Sequence, residues 1–295
     1  MKSYLLGKWL FLFYFDEMYV CFNGKIMPAD EPVFLASNRG YRYGDGLFET
    51  MKLANAILLL EQLHFERLFA GLELLKFEIP KLFVKEKLIS EVFNLAKKNN
   101  YIESARVRLS VFRGNGGLYD EEKLLQYLIE CWPLNKSVNR LNENGFIIDV
   151  FPDAKKSTDI FSGLKSSNFL PYTMAAQYAK ENKLNDCLVL NTAGNIADAT
   201  IANVFLIKGG TINTPAANQG CVLGVMRGYL LEKMRAAGYD IKETNIAISD
   251  IDNADEIFLS NAVNGIRWVK RFRDKVYTNT KTVEIYNQFV RTISL

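Results

Sequence analysis

The run FSGLKSSNFLPYTMAAQYAK (residues 161–180) decides how this chain is read. Its lysine, Lys165, lies between apolar Phe161 and Leu164 on one side and Asn168, Phe169 and Leu170 on the other. An apolar pocket lowers a lysine's pKa and turns a solvated ammonium into a nucleophile and proton carrier. Pro171 then offers a residue suited to a first helical position. Asp198 follows 33 residues downstream, inside GNIADATIANVFLIKGGTINTP (194–215). A third block, GVMRGYLLEKM (224–234), reads as a backbone turn feeding a helix whose first amides can hold an anion. An amine, an acid and an anion-binding helix start are thus spread over one C-terminal stretch.

Working outward, the stretches around these blocks alternate between strand and helix patterns. FIIDVF (146–151), DCLVLN (186–191), NVFLIK (203–208) and EIFLS (256–260) read as strands, and Gly209-Gly210 is a hairpin signal. Helices are expected from Pro171 and over 224–237, the second stopped by Gly238. Upstream, LFETMKL (47–53) and AILLLEQ (56–62) predict a hairpin about Ala54-Asn55. Leu63, Arg67, Leu68, Leu72 and Leu75 have helical spacing, as does Phe83 to Lys98. RVRLSVFR (106–113) alternates apolar Val107, Leu109 and Val111 with Arg106, Arg108 and Ser110, which predicts a half-buried strand projecting arginines from one face. The expectation is an α/β (α+β) chain in two domains: a small one over 18–135, a polar linker over 136–145, and a large one over 146–295.

With 295 residues, 49% of them hydrophobic and 23% charged, the chain can bury a sizeable core. A net charge of +3 gives no electrostatic case for nucleic acid. The one basic–aromatic run, RWVKRFRDKVY (267–277), reads as an amphipathic strand and turn, with single-stranded nucleic acid as its other reading. Four cysteines (Cys21, Cys131, Cys187, Cys221) without CxxC spacing argue against a disulfide frame or a metal site and fit a cytoplasmic protein. Residues 1–17 (MKSYLLGKWLFLFYFDE) stand apart as an N-terminal extension, possible as an upstream artefact or an apolar arm. They are too short in apolar run to span a membrane.

Six blocks in order carry a family resemblance: SNRGYRYGDGLFETMKL (37–53), HFERL (64–68), the Lys165 and Asp198 blocks, LGVMR (223–227) and EIFLSNAVNGI (256–266). Together they resemble the fold-type IV pyridoxal phosphate (PLP) enzymes, which include D-amino-acid and branched-chain aminotransferases and 4-amino-4-deoxychorismate lyase. The resemblance implies the two-domain D-amino-acid aminotransferase-like fold and pyridoxal 5′-phosphate as cofactor. It implies Lys165 as the lysine that bonds the cofactor, and Asp198 as the carboxylate facing the pyridine nitrogen, where the family usually has glutamate. It implies Arg67, the amides of Gly224, Val225 and Met226, and those of Asn261 and Ala262 as the phosphate grip. Met226 and Ala262 stand where threonines are common, so the grip is poorer in hydroxyls. Phe169 stands where many members have a tyrosine, and Asn168 is the candidate to replace its contact.

On the substrate side, Arg106, Arg108 and Arg113 are candidates for binding carboxylates, with Glu49 and Tyr43 as further candidates facing the cofactor. Asn168 and Met226 bring the chain nearer the lyase branch. The resemblance therefore implies conversion of 4-amino-4-deoxychorismate to 4-aminobenzoate and pyruvate. The alternatives are a class IV aminotransferase acting on branched-chain or D-amino acids, and a non-catalytic binding protein on the same fold. A small amine/carboxylate substrate and a homodimer are implied; nucleic acid, membrane and metal are not.

Overall fold

The alternation of apolar residues in the N-terminal half builds one antiparallel sheet, and the apolar runs after residue 145 build a second, mixed one. The computed structural model describes residues 18–120 and 124–294, so the expected extension over 1–17 lies outside the described residues. The first sheet comprises β1 (Tyr19–Phe22), β2 (Lys25–Pro28), β3 (Gly46–Ala54), β4 (Ile57–Leu58), β5 (Ser104–Arg113) and β6 (Leu125–Pro133), in the order β2-β1-β6-β5-β3-β4. Strand period two sends Leu47, Met51, Leu53, Val107, Leu109, Val111 and Ile129 to one face. There they bury against α2 (Glu61–Leu74) and α3 (Lys85–Lys98), which follow the short α1 (Arg39–Tyr43). The other face carries two cross-strand rows, Thr50–Arg108–Glu130 and Lys52–Arg106–Trp132.

The expected hairpin forms, but its second arm is shorter than the sequence implies. Asn55 and Ala56 turn the chain with φ of 49° and 56°, and β4 ends at Leu58. Leu60 adopts a left-handed conformation (φ 54°) and Glu61 and Gln62 open α2, so the apolar run is split between strand and helix.

The second sheet contains β7 (Phe146–Lys156), β8 (Asp186–Asn191), β9 (Ile196–Ala199), β10 (Asn203–Lys208), β11 (Thr211–Pro215), β12 (Ile241–Thr244), β13 (Glu256–Asn261) and β14 (Gly265–Phe272). Their order is β12-β11-β10-β13-β14-β7-β8-β9, with β15 (Lys275–Val276) added on β14. The β11–β12, β14–β7 and β7–β8 pairs are parallel. α4 (Leu170–Glu181) and α5 (Val225–Ala236) carry apolar faces onto the sheet.

The stretch expected as a linker is docked. Asn142 exchanges backbone and side-chain hydrogen bonds with Trp268, and the Arg267 guanidinium donates to the carbonyls of Val138 and Arg140. The basic–aromatic run is the β14–β15 hairpin. No helix among the described residues is long and apolar enough to cross a membrane, and no cluster of three or more His, Cys, Asp or Glu there could hold a metal.

Candidate active site

A cavity of about 520 Å³ lies where the polar face of the first sheet meets the second, within the size range of small-molecule sites. Lys165, Arg67, Asp198, Gly224, Val225, Met226, Asn261, Ala262, Arg106 and Arg108 all line it, although they come from both halves of the chain.

Lys165 is set on the loop between β7 and α4, and its backbone is stapled to the first sheet. The Phe48 N–H donates to the Lys165 carbonyl at 2.9 Å, and the Ser167 N–H donates to the Gly46 carbonyl at 2.9 Å. The ammonium lies 4.8 Å from the Phe48 ring centre and 4.9 Å from that of Phe169. Burial, joined by the charge of Arg67, lowers its pKa to about 8 against the opposing pull of Glu49 and Asp198. Such a lysine spends part of its time as a free amine at neutral pH.

Asp198, on β9, is 2% exposed. Its Oδ1 accepts from Asn203 Nδ2 at 2.9 Å, and its Oδ2 accepts from the Tyr172 hydroxyl at 2.7 Å and the Val222 N–H at 2.9 Å. Lys156 Nζ stands 3.3 Å from the same oxygen. Burial still raises the carboxyl's pKa, with Lys156 and the hydrogen bonds opposing. A buried carboxylate at the wall of a cavity is suited to a cationic ring nitrogen. Lys156, Tyr172 and Asn203 had no signal in the sequence: Lys156 and Tyr172 are 42 and 26 residues from Asp198, and Asn203, 5 residues on, opens an apolar strand run.

Arg67 leaves α2 toward the start of α5. Its Nη1 donates to the Leu223 carbonyl at 3.0 Å, and its Nε donates to Glu49 Oε1 at 2.8 Å. α5 begins at Gly224, which carries no side-chain cap. A Cβ on Gly224 would sit 1.9 Å from Asn203 Oδ1, so only glycine lets Asn203 reach Asp198 while the helix start faces the cavity. Asn261 spends its side-chain oxygen on the N–H groups of Val263 and Asn264, closing the turn after β13. Ser260 Oγ, buried in the cavity wall, has no hydrogen-bond partner among the described residues. An uncapped helix start, an arginine and an unmet hydroxyl beside a lysine and a buried acid together fit a phosphorylated, ring-bearing cofactor.

The opposite wall belongs to β5 and β6. Arg108 lies over the Phe48 ring at 3.7 Å and gives its Nε to Ser110 Oγ. Arg106 stacks on Trp132 at 4.6 Å, and its guanidinium has no hydrogen bond among the described residues. Buried Lys52 adjoins Arg106 in the same row, its pKa lowered to about 8 by burial and then by the charge of Arg267. These are cations with donors unspent.

Four candidates fall outside the cavity. Arg113 clamps Asp45 (2.6 Å) and the Leu75 carbonyl (2.5 Å) on the helix side of the sheet. Glu49 lies behind Arg67, 2% exposed, and does not reach the cavity. Tyr43 is exposed at the end of α1. Asn168 sits against Gly44 with only a 3.5 Å contact to its carbonyl, so it does not stand in for the missing tyrosine. Phe169 lines the cavity and packs on Tyr172 at 4.5 Å as an apolar wall.

A family model described as "Amino-transferase class IV" matches residues 46–272. D-alanine aminotransferase of Listeria innocua is 26% identical over 286 residues, 94% of this chain and 96% of that protein. Aminodeoxychorismate lyase of Bacillus subtilis is 26% identical over 248 residues, 82% of each. Among solved structures, the branched-chain aminotransferase of Thermoproteus uzoniensis superposes with a TM-score of 0.85 at 20% identity, covering 94% of this chain and 95% of that one.

Proposed function

We propose that this chain, which belongs to the class IV amino-transferase family, is a PLP enzyme that converts 4-amino-4-deoxychorismate to 4-aminobenzoate and pyruvate. The observation that carries the reading is the pair Arg106 and Arg108, which line the same cavity as Lys165 with donors unspent. Two guanidiniums in one wall suit a substrate with two carboxylates.

Enzymes of this family use pyridoxal 5′-phosphate, and the residues of the cavity fit it. Lys165 would hold it covalently, Asp198 would take its ring nitrogen, and Arg67 with the first amides of α5 would take its phosphate. When bound, PLP supplies an electron sink for the pair left on the substrate as a proton departs. Lys165 would take the proton from the substrate's amine-bearing carbon, and its lowered pKa suits it to accept that proton and return it to the departing enolpyruvyl group. As the ether bond breaks, the electron pair would close the aromatic ring and the protonated leaving group would depart as pyruvate. Asp198, held by Tyr172, Asn203 and Lys156, would keep the ring nitrogen charged.

An aminotransferase would use the same residues up to proton removal and differ only in where the proton returns. The Listeria innocua relative favours that second reading. Leu35, Leu118 and Tyr119 are exposed on two loops joined by the Gly116 N–H to the Ser37 carbonyl, and Tyr41 is exposed on the adjoining α1. That apolar patch supports a homodimer. Four buried free thiols support a reducing compartment.

An absorbance spectrum of purified protein, with and without 4-amino-4-deoxychorismate, tests the assignment beside Lys165→Ala. A cofactor band lost in the variant, with 4-aminobenzoate and pyruvate released by wild type alone, supports the lyase. A band bleached by D-alanine or a branched-chain amino acid, without those products, replaces it with the aminotransferase.

A further inference from the structure

The chain's only histidine, His64, is 0% exposed, and the cavity does not include it. Its Nδ1 lies 2.6 Å from Glu49 Oε2. Glu49 in turn takes Arg67 side-on, through Nε at 2.8 Å and Nη2 at 2.5 Å. His64 and Arg67 stand three apart on α2 and therefore share the helix face that meets Glu49 on β3. Burial would raise the Glu49 carboxyl, but the Arg67 charge and the hydrogen bonds from His64 and Arg67 outweigh it and hold it below the usual carboxylate range. An ionised carboxylate only accepts, so the proton of the short contact is on His64 Nδ1. The other ring nitrogen, Nε2, is buried without a partner among the described residues.

That unmet nitrogen is informative. If the site needed only packing, an apolar side chain would fill it without leaving a buried polar atom unpaired. The Nδ1–H is what the position supplies. It also sets Glu49's orientation, because the carboxylate is gripped on one side by His64 and on the other by Arg67. Arg67 is then fixed on two edges, by Glu49 and by the carbonyl of Leu223, the residue before the α5 N-cap Gly224. Its remaining N–H groups are left on the cavity side, next to the uncapped amides of that helix.

We propose that Glu49 and His64 are positioning residues, a buried relay that aims Arg67 so that its guanidinium and the α5 amides grip one cofactor phosphate together. The inference rests on the reading of Arg67 as a phosphate ligand. It assigns Glu49, which the sequence placed toward the cofactor, to a task one layer behind it. A misaimed Arg67 weakens a phosphate-bearing cofactor and leaves its phosphate-free counterpart unaffected, which a general loss of structure would not do.

The test compares dissociation constants of PLP and pyridoxal for the apoprotein, read from the absorbance of the lysine-bound form. Wild type is expected to prefer PLP strongly, and Arg67→Ala to lose most of that preference. Glu49→Gln is expected to weaken PLP at least tenfold while pyridoxal binding changes less than twofold. His64→Leu should do the same more mildly, and His64→Gln, which restores a donor, should recover part of the loss. Pyridoxal binding reports that each variant is folded; should Glu49→Gln fail to fold, the two His64 variants carry the test. Equal losses for both ligands, or an unchanged PLP preference in both Glu49→Gln and His64→Leu, would overturn the relay. A wild-type protein that binds PLP no better than pyridoxal overturns the phosphate reading of Arg67, and the relay with it.

Discussion

Phe169→Ser should slow capture of pyridoxal by Lys165 at neutral pH, and the size of the effect follows from the pocket. Phe48 and Phe169 flank the ammonium, and burial is the largest cause of its fall from 10.5 to about 8. At pH 7 a lysine of pKa about 8 is roughly 9% free amine, whereas an ordinary lysine near ~10.4 is roughly 0.04%. The nucleophilic fraction therefore differs by on the order of 200-fold. Opening one wall admits water and returns part of that difference. Stopped-flow absorbance with pyridoxal, which avoids the phosphate site, measures it across pH. Wild-type capture should rise about tenfold per pH unit and level off near about 8. Phe169→Ser should level off at least one unit higher and run about tenfold slower at pH 7. A wild-type rate still climbing tenfold per unit beyond about pH 9.5 would refute the argument, since the lysine would then be an ordinary one.

Lys156→Met leaves Asp198 buried without its cation and should destabilise the apoprotein by about 3 kcal/mol, while Lys156→Met with Asp198→Asn recovers much of the loss; urea unfolding of the double-mutant cycle measures this. Gly224→Ala drives a methyl into Asn203 Oδ1 and should cost about 1–3 kcal/mol, together with measurably weaker PLP binding. Arg106→Ala and Arg108→Ala should each raise KM for the dicarboxylate substrate roughly 10–100-fold, from a lost charged hydrogen bond of about 1.5–3 kcal/mol. Arg113→Ala should leave KM unchanged and lower the melting temperature. Lys52 has a folded pKa near 8, below its unfolded 10.5, so the unfolded chain binds more protons between those values and stability rises with pH across that window. Lys52→Met should flatten that rise and add up to roughly 3 kcal/mol at pH 7, measured by denaturant titration.

Strand period two made more of the site legible than a list of charged residues did. In β5, Arg106 and Arg108 occupy even positions while Val107, Leu109 and Val111 occupy odd ones; Arg113 shares parity with the core residues and lies on their side of the sheet. The same rule sends Glu49, with Leu47 and Met51, toward α2 and away from the cavity. Grouping the residues by charge concealed what their spacing stated. Lys165, Asp198 and the α5 start were legible because each is encoded within a short local run. Lys156 was hidden by a break in that periodicity: β7 shifts register against β8 between Val150 and Lys155, so alternation counted from Phe146 does not carry through to it. Tyr172 reaches Asp198 from α4, which packs on β7 and β8, and Asn203 reaches it from the start of β10, 5 residues on; neither side chain carries a mark of its own for that contact.

The backbone staple at Lys165 links the two sheets to the chemistry. The lysine belongs to the second half of the chain, yet its carbonyl accepts from Phe48 and the Ser167 N–H reaches Gly46, both on β3. The Leu47–Ser166 bridge lies between these bonds, so the loop pairs with β3 like a short added strand. One side of β3 supplies Phe48 to the lysine's pocket, and its other side supplies Glu49 to Arg67. A shift of the first sheet relative to the second would therefore move the lysine's loop and Phe48 together while changing their distance to Asp198, and would strain Arg67, which is held by Glu49 on one side and Leu223 on the other. The distance between Lys165 and Asp198 is thus the coordinate that the packing of the two sheets controls. The docked 136–145 segment, fixed by Asn142 to Trp268 and by Arg267 to two carbonyls, limits it. Asn142→Ala should loosen that coupling: cofactor capture by Lys165 would persist, while the absorbance band that depends on a charged ring nitrogen at Asp198 would weaken. An unchanged band in a variant whose melting temperature has fallen would show that the segment stabilises the fold without setting the site.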